Sequence, residues 1–280
     1  MARNKETTLR SAGTALAALL CMLAAAPAAG QERGWDDDLD DLTDDVVDVW
    51  TSPFRADAED ALRLAAHGAV FAGLYAADGA IQDWLRAHAD APYVRWLDVV
   101  GHDSPLNLAG RTHVISSTGA LVWLVGVLAD KDALRDAGLG CVTANLATTL
   151  SRVALANLVN RARPETGRGP RAWDVPGFGP WEMRSFPGGH AANGMSCASF
   201  LANRFEWGAA EPAMYALAGS MGMARVRDEA HWSSDTFVGM AWGWHVGRAV
   251  ADRFLTREER RAAAGARALP GVMLGARVHF

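Results

Sequence analysis

The chain has 280 residues, half of them apolar, with 27 Lys and Arg against 32 Asp and Glu and a formal net charge of −5. That length fits one large domain or two small ones, and the apolar share is ample for a sizeable core. A mildly acidic balance without a Lys/Arg-rich tract argues against nucleic-acid binding.

Residues 1–30 have the layout of a secretory signal peptide: positive charge in "MARNKETTLR", an apolar run ending in small residues, then polarity restored at "QERGW". Cleavage after Ala28 or Gly30 and export to the periplasm are expected, and Leu20 argues against a lipoprotein site at Cys21. Residues 31–55 form an acidic leader. Within it, "DDDLDDLTDDVVDVW" sets Leu39, Leu42, Val46 and Val49 at helical spacing, which permits a short amphipathic helix. The density of carboxylates favours a solvated, partly disordered segment instead.

From 56 to 262 the pattern is helical almost throughout, rich in alanine and other small residues, as in "STGALVWLVGVLA" and "DTFVGMAWGWHVGRAV". The expectation is an all-α fold, a single-domain helical bundle packed closely through small residues. Thr112 to Ala129 is a long uncharged run, but it contains His113 and four hydroxyl residues. A spanning helix wants about 20 mainly apolar residues, so a soluble bundle is expected, with peripheral membrane contact left open. Cys141 and Cys197 lack metal-ligand spacing; an oxidising compartment permits a bridge between them, but two buried thiols are the favoured reading. The stretch 164–185, rich in Gly, Pro, Trp and Arg, is too long for an idle connector. The tail 263–280 ends in "GVMLGARVHF", whose alternation suggests one short docked strand.

Three segments gather arginine and histidine in apolar surroundings: "NRARP" (160–164), "PGGH" (187–190) and "ARVRDEAHWSSD" (224–235). Gly188 and Gly189 stand where a helix begins, so unpaired backbone N–H groups and close approach describe an anion site, with titratable His190 at its edge. His231 and Asp235 lie four apart and share a face if helical, which lets the carboxylate orient the imidazole. A metal centre of His190, His231 and Asp235 is disfavoured, because neighbouring arginines repel a cation. His245 is about 21 Å further along a helix and cannot join it.

In order and spacing these segments resemble the type-2 phosphatidic acid phosphatase and vanadium haloperoxidase superfamily, in its exported bacterial branch. The matching residues are Arg163-Pro164, Pro187-x-Gly189-His190 and Arg225-x5-His231-x3-Asp235, with "DGAIQDWL" (78–85) similar to an early helix of exported members. The resemblance implies an acid phosphatase/haloperoxidase type of bundle and a metal-independent phosphatase with no cofactor. It would hydrolyse phosphate monoesters or diphosphates, lipid phosphates included, through a phosphohistidine. By resemblance His231 is the nucleophile, Asp235 holds its imidazole, and His190 protonates the leaving oxygen and then activates water. Arg163 and Arg225 hold phosphoryl oxygens together with backbone N–H groups at Gly188 and Gly189.

The chain departs from the family pattern at three positions. Ala156 stands where the family has lysine, Gly188 where it has serine, and Ala224 where a serine precedes Arg225. Helical side chains lean toward the N-terminus, so Arg152 points away from position 156. Asn160 leans toward it, Lys131 is too distant, and Arg168, Arg171 and Arg184 of the long loop are better substitutes. Two alternatives follow: a pseudoenzyme binding phosphate or lipid headgroups, and a vanadium haloperoxidase.

Overall fold

A computed structural model describes residues 33–101, 104–208 and 210–268. The expected signal peptide (1–30) and the short strand of the tail lie outside the described residues. Those residues contain eight α-helices and no strand: α1 (Trp35–Thr51), α2 (Ala58–Ala87), α3 (Pro92–Arg95), α4 (Thr112–Leu128), α5 (Asp132–Val159), α6 (Gly189–Phe205), α7 (Ala210–Arg227) and α8 (Ser233–Ala268). The expected all-α fold is therefore present.

Small residues set the packing. Along α8, Gly239, Gly243 and Gly247 recur every four residues on one face. A Cβ on them would stand 2.3 Å from the Gly188 carbonyl oxygen, 2.1 Å from that of Ala192 and 2.2 Å from that of Ser196. The backbones of α6 and α8 thus touch without intervening side chains. The main core lies where α4, α5, α6 and α8 meet, around Ile115, Leu139, Ala144, Phe200, Val250 and Phe254.

Two expectations are corrected here. The acidic run is helix α1, not a disordered leader, and Val49 on it enters the main core. Its fully buried Asp38 meets Arg33 at 2.5 Å and Arg135 at 2.6 Å, and its fully buried Asp45 meets Arg257 at 2.6 Å and also Arg253. Local charge density suggested solvation, but Arg33 and arginines from α5 and α8 neutralise these carboxylates. Likewise, Cys141 and Cys197 are not free thiols. Facing helices α5 and α6 bring their Cα atoms to 4.6 Å, and the sulfurs form a disulfide.

Two helices, Ala58–Ala87 and Asp132–Val159, are long and apolar enough to cross a membrane. The apolar window of the second is 50% buried, that of the first only 6%. The first half of α2 is open on most sides, with Leu62 71% and Leu64 73% exposed. Its second half dips into the bundle through buried Asp78, Gln82 and Leu85.

Candidate active site

The end of α5, the starts of α6 and α8, and the end of α7 bring the three arginine and histidine segments together. Helix α5 stops at Asn160, whose left-handed backbone (φ 36°, ψ 69°) ends it four residues before Pro164. Asparagine is one of the few residues that adopts this conformation readily. Pro164 instead holds Arg163 extended (φ −73°, ψ 154°), as a residue before proline prefers. The Arg163 guanidinium lies 4.0 Å from the centre of the Trp181 ring. Arg161, two residues earlier, points the opposite way into the protein and is fully buried.

Gly188 precedes the first residue of α6 and makes two backbone contacts with its surroundings. Its N–H donates to the carbonyl oxygen of Asp235 at 2.9 Å, and its carbonyl accepts from Ala192 at 3.0 Å. The expected Gly188 donor is therefore already engaged, while Gly189 and His190 begin the helix, where backbone N–H groups lack intrahelical acceptors.

His231 lies in the turn before α8, not on a helix with Asp235. The carbonyl of Arg225 accepts from the N–H groups of Ala230 (3.0 Å) and His231 (3.3 Å), folding the intervening residues into a loop that brings the two functional side chains together. Nδ1 of His231 lies 2.6 Å from the carbonyl oxygen of Ser185. A carbonyl only accepts, so Nδ1 carries the proton and Nε2 keeps its lone pair.

Asp235 does not contact His231, correcting the expected carboxylate–imidazole bond. Its Oδ2 accepts from the Ser185 hydroxyl at 2.5 Å and from the Trp232 N–H at 3.2 Å, and its Oδ1 accepts from Arg161. The carboxylate closes the first turn of α8 from its third position. It orients His231 at one remove, through the residue whose carbonyl holds the imidazole. The cause is Arg161, which occupies the other oxygen.

Arg161 also donates to Asp78 at 2.8 Å, to Ser234 at 2.8 Å and to the carbonyl of Pro170 at 2.6 Å. Asp78 in turn accepts from Ser233 Oγ at 2.6 Å and from Ser234 N–H at 2.9 Å. Tyr75 and Trp173 each present a ring 4.9 Å from the guanidinium. This buried network anchors the start of α8 and with it His231. Asp78, Arg161 and Ser185 were missed from sequence. The only available hint was an unpaired aspartate on the apolar face of α2.

Above this network the charge balance is positive. Burial, followed by Arg225, Arg111, Arg152 and Arg163, pulls the His190 pKa down from 6.5 to about 4. His231 lies well below its ordinary 6.5, again chiefly through burial, then Arg163 and Arg225, with the Ser185 bond opposing. Both imidazoles are neutral at pH 7. Burial lowers Arg163 from 12.5 to about 10, with Glu165 opposing and Arg225 and Arg152 adding to the shift. Asp235 is pushed up to about 6 by burial, against the pull of Arg161 and Ser185. Glu165, 3.7 Å from Arg163, and Asp228, 3.3 Å from Arg225, are the carboxylates that temper the pocket.

The structure thus brings His190, His231, Arg163 and Arg225 close enough to act on one another, with Gly189 beside Arg152 at the start of α6 and Asp235 linked to His231 through Ser185. Arg111 and Arg152, which were not assigned to the site, act on the same histidine. Of the proposed lysine substitutes, Asn160 spends its side-chain amide on the carbonyls of Val175 (2.7 Å) and Gly177 (3.0 Å). Arg168 contacts Met183 at 3.0 Å, and Arg184 donates to Gly179 at 3.0 Å. His245, excluded above by distance, packs against His67 at 5.2 Å between ring centres. Among the described residues no cluster of His, Cys, Asp and Glu forms a metal site.

Residues 137–258 match the family model of the PAP2 superfamily. The matched segment carries all three arginine and histidine segments, from α5 to α8. No curated protein and no solved structure matches the chain.

Proposed function

We propose that the protein is a metal-independent phosphatase acting on phosphate monoesters or diphosphates through a phosphohistidine on His231. The observation that carries this reading is the state of His231: neutral, with Nδ1 locked on the Ser185 carbonyl and Nε2 free, beside Arg163 and Arg225. In the first step Nε2 attacks phosphorus as the bond to the leaving oxygen breaks, and protonated His190 gives that oxygen its proton. In the second, His190 takes a proton from water, the water oxygen bonds phosphorus, and the P–N bond breaks to release phosphate. The guanidinium groups and the N–H groups opening α6 balance the charge that builds on the phosphoryl oxygens.

His190 must be protonated for the first step, yet its pKa is about 4. An incoming phosphate dianion cancels much of the arginine field and raises that value, so substrate and proton enter together.

An amphiphilic phosphate ester is the favoured substrate class. Val175 and Phe178, 75% and 90% exposed, project from the loop that places Trp181 over Arg163, and Leu62 and Leu64 are exposed on the first half of α2. Both features support peripheral contact with a membrane. The Cys141–Cys197 disulfide suits an exported, periplasmic protein.

A pseudoenzyme that binds phosphate without turnover is the second reading, favoured by the alanine at 156 and the missing hydroxyl at 188. Phosphate release from a chromogenic ester separates the two. Turnover that is blocked by orthovanadate and lost in His231→Ala is expected. Equal turnover in His231→Ala overturns the phosphohistidine, and no wild-type turnover with retained phosphate binding favours the pseudoenzyme.

A further inference from the structure

We propose that Arg152 is a phosphate-binding residue of this site and supplies the positive charge that Ala156 lacks, an inference that rests on the phosphatase reading. Position 156 carries only a buried methyl group, 2% exposed. One helical turn earlier, the Arg152 guanidinium reaches the start of α6. Its Cζ and Nε lie 3.2 Å, and Nη1 3.3 Å, from where a Cβ on Gly189 would stand. The same lean toward the helix N-terminus that takes Arg152 away from position 156 carries it onto Gly189. Glycine at 189 leaves the room it needs.

Its electrostatic setting distinguishes it from the other arginines. Among the described residues, Arg152, Arg163, Arg204, Arg225 and Arg227 each have a buried Nε without a hydrogen-bond partner. All but Arg152 pair with a carboxylate, as Arg204 does with Asp136 at 2.8 Å. Arg152 has no such partner among the described residues, and the charged group that shifts it is another cation, Arg184. A guanidinium desolvated without counter-charge is unfavourable until an anion completes it. It stands close enough to Arg163 and His190 to act on both, so an anion held by Arg163 and the start of α6 lies within its field. A planar guanidinium can donate to two phosphoryl oxygens at once, which an ammonium group cannot reproduce.

The test compares wild type with Arg152→Met and Arg152→Lys, reading competitive inhibition by inorganic phosphate and orthovanadate alongside kcat and KM. Thermal unfolding confirms that each variant is folded. Arg152→Met is expected to weaken phosphate and vanadate about 10- to 100-fold and to lower kcat/KM similarly, with Arg152→Lys recovering part of the loss. Folded Arg152→Met with wild-type phosphate affinity overturns the inference while leaving the phosphatase reading standing. A wild-type protein that binds neither anion overturns both. Should Arg152→Met fail to fold, Arg152→Gln removes the charge instead. A several-fold loss of phosphate affinity is then expected, and unchanged affinity overturns the assignment.

Discussion

Ser185 holds His231 by its backbone carbonyl, 2.6 Å from Nδ1, and binds Asp235 by its hydroxyl at 2.5 Å. One residue therefore joins the imidazole to the buried carboxylate, and Asp235 governs His231 without touching it. Asp235 is fully buried against the equally buried Arg161. Asp235→Ala leaves that guanidinium short of a counter-charge, at a cost of about 3–5 kcal/mol. Ser185→Ala removes one charge-assisted bond, about 1.5–3 kcal/mol. Urea unfolding should rank the variants in that order. Equal stability of all three proteins would show that the network does not anchor α8.

Restoring the serine expected at 188 should harm the protein. A Cβ there would stand 3.0 Å from the Cα of Thr236 and 3.2 Å from the carbonyl oxygen of Asp235, both backbone atoms of α8. Overpacking of this kind costs about 1–3 kcal/mol. Gly188→Ser is expected to lower the melting temperature and not to raise kcat. A faster enzyme of unchanged stability would show that the loop yields and the hydroxyl matters.

Acid should destabilise the protein through its buried histidines. An unfolded His190 takes up its proton near 6.5, the folded one near 4, so between those values the unfolded chain binds more protons. The stability present above about pH 6.5 is lost as pH falls toward 4, and His231 acts in the same direction. Phosphate should offset part of the loss and bind with proton uptake. Melting temperatures across this range, with and without phosphate, measure both effects, and His190→Gln should flatten the profile. A profile identical in His190→Gln would assign the acid sensitivity elsewhere.

Breaking the Cys141–Cys197 bridge frees a loop spanning a sequence separation of 56 residues. The entropic loss predicts a destabilisation of about 2–5 kcal/mol. Mass spectrometry of alkylated, unreduced protein should find both cysteines unmodified, and Cys141→Ala/Cys197→Ala should unfold at lower denaturant. Alkylation of both would place free thiols there.

Much of this protein was legible from local pattern. Helical periodicity marked the all-α fold, and the spacing of Arg163, His190, Arg225 and His231 marked the groups proposed to react with or bind phosphate. These are properties of short segments, where period and residue type carry the information. Partnership across the chain was not legible. The acidic run looked solvated because Arg135 and Arg257, which neutralise it, lie far away in sequence. Cys141 and Cys197 looked like thiols until α5 and α6 were set face to face. Asp235 looked like the partner of His231 because helical spacing put them on one face, but the turn before α8 separates them and Arg161 claims the carboxylate. Arg152 was dismissed by a sound rule about side-chain lean, since the rule gives a direction along its own helix and not what another helix has placed there. The sequence by itself determined which groups are present and which local shapes they favour. Only tertiary packing decided which charges meet, because burial strips away water and makes each buried charge depend on the nearest group that can replace it.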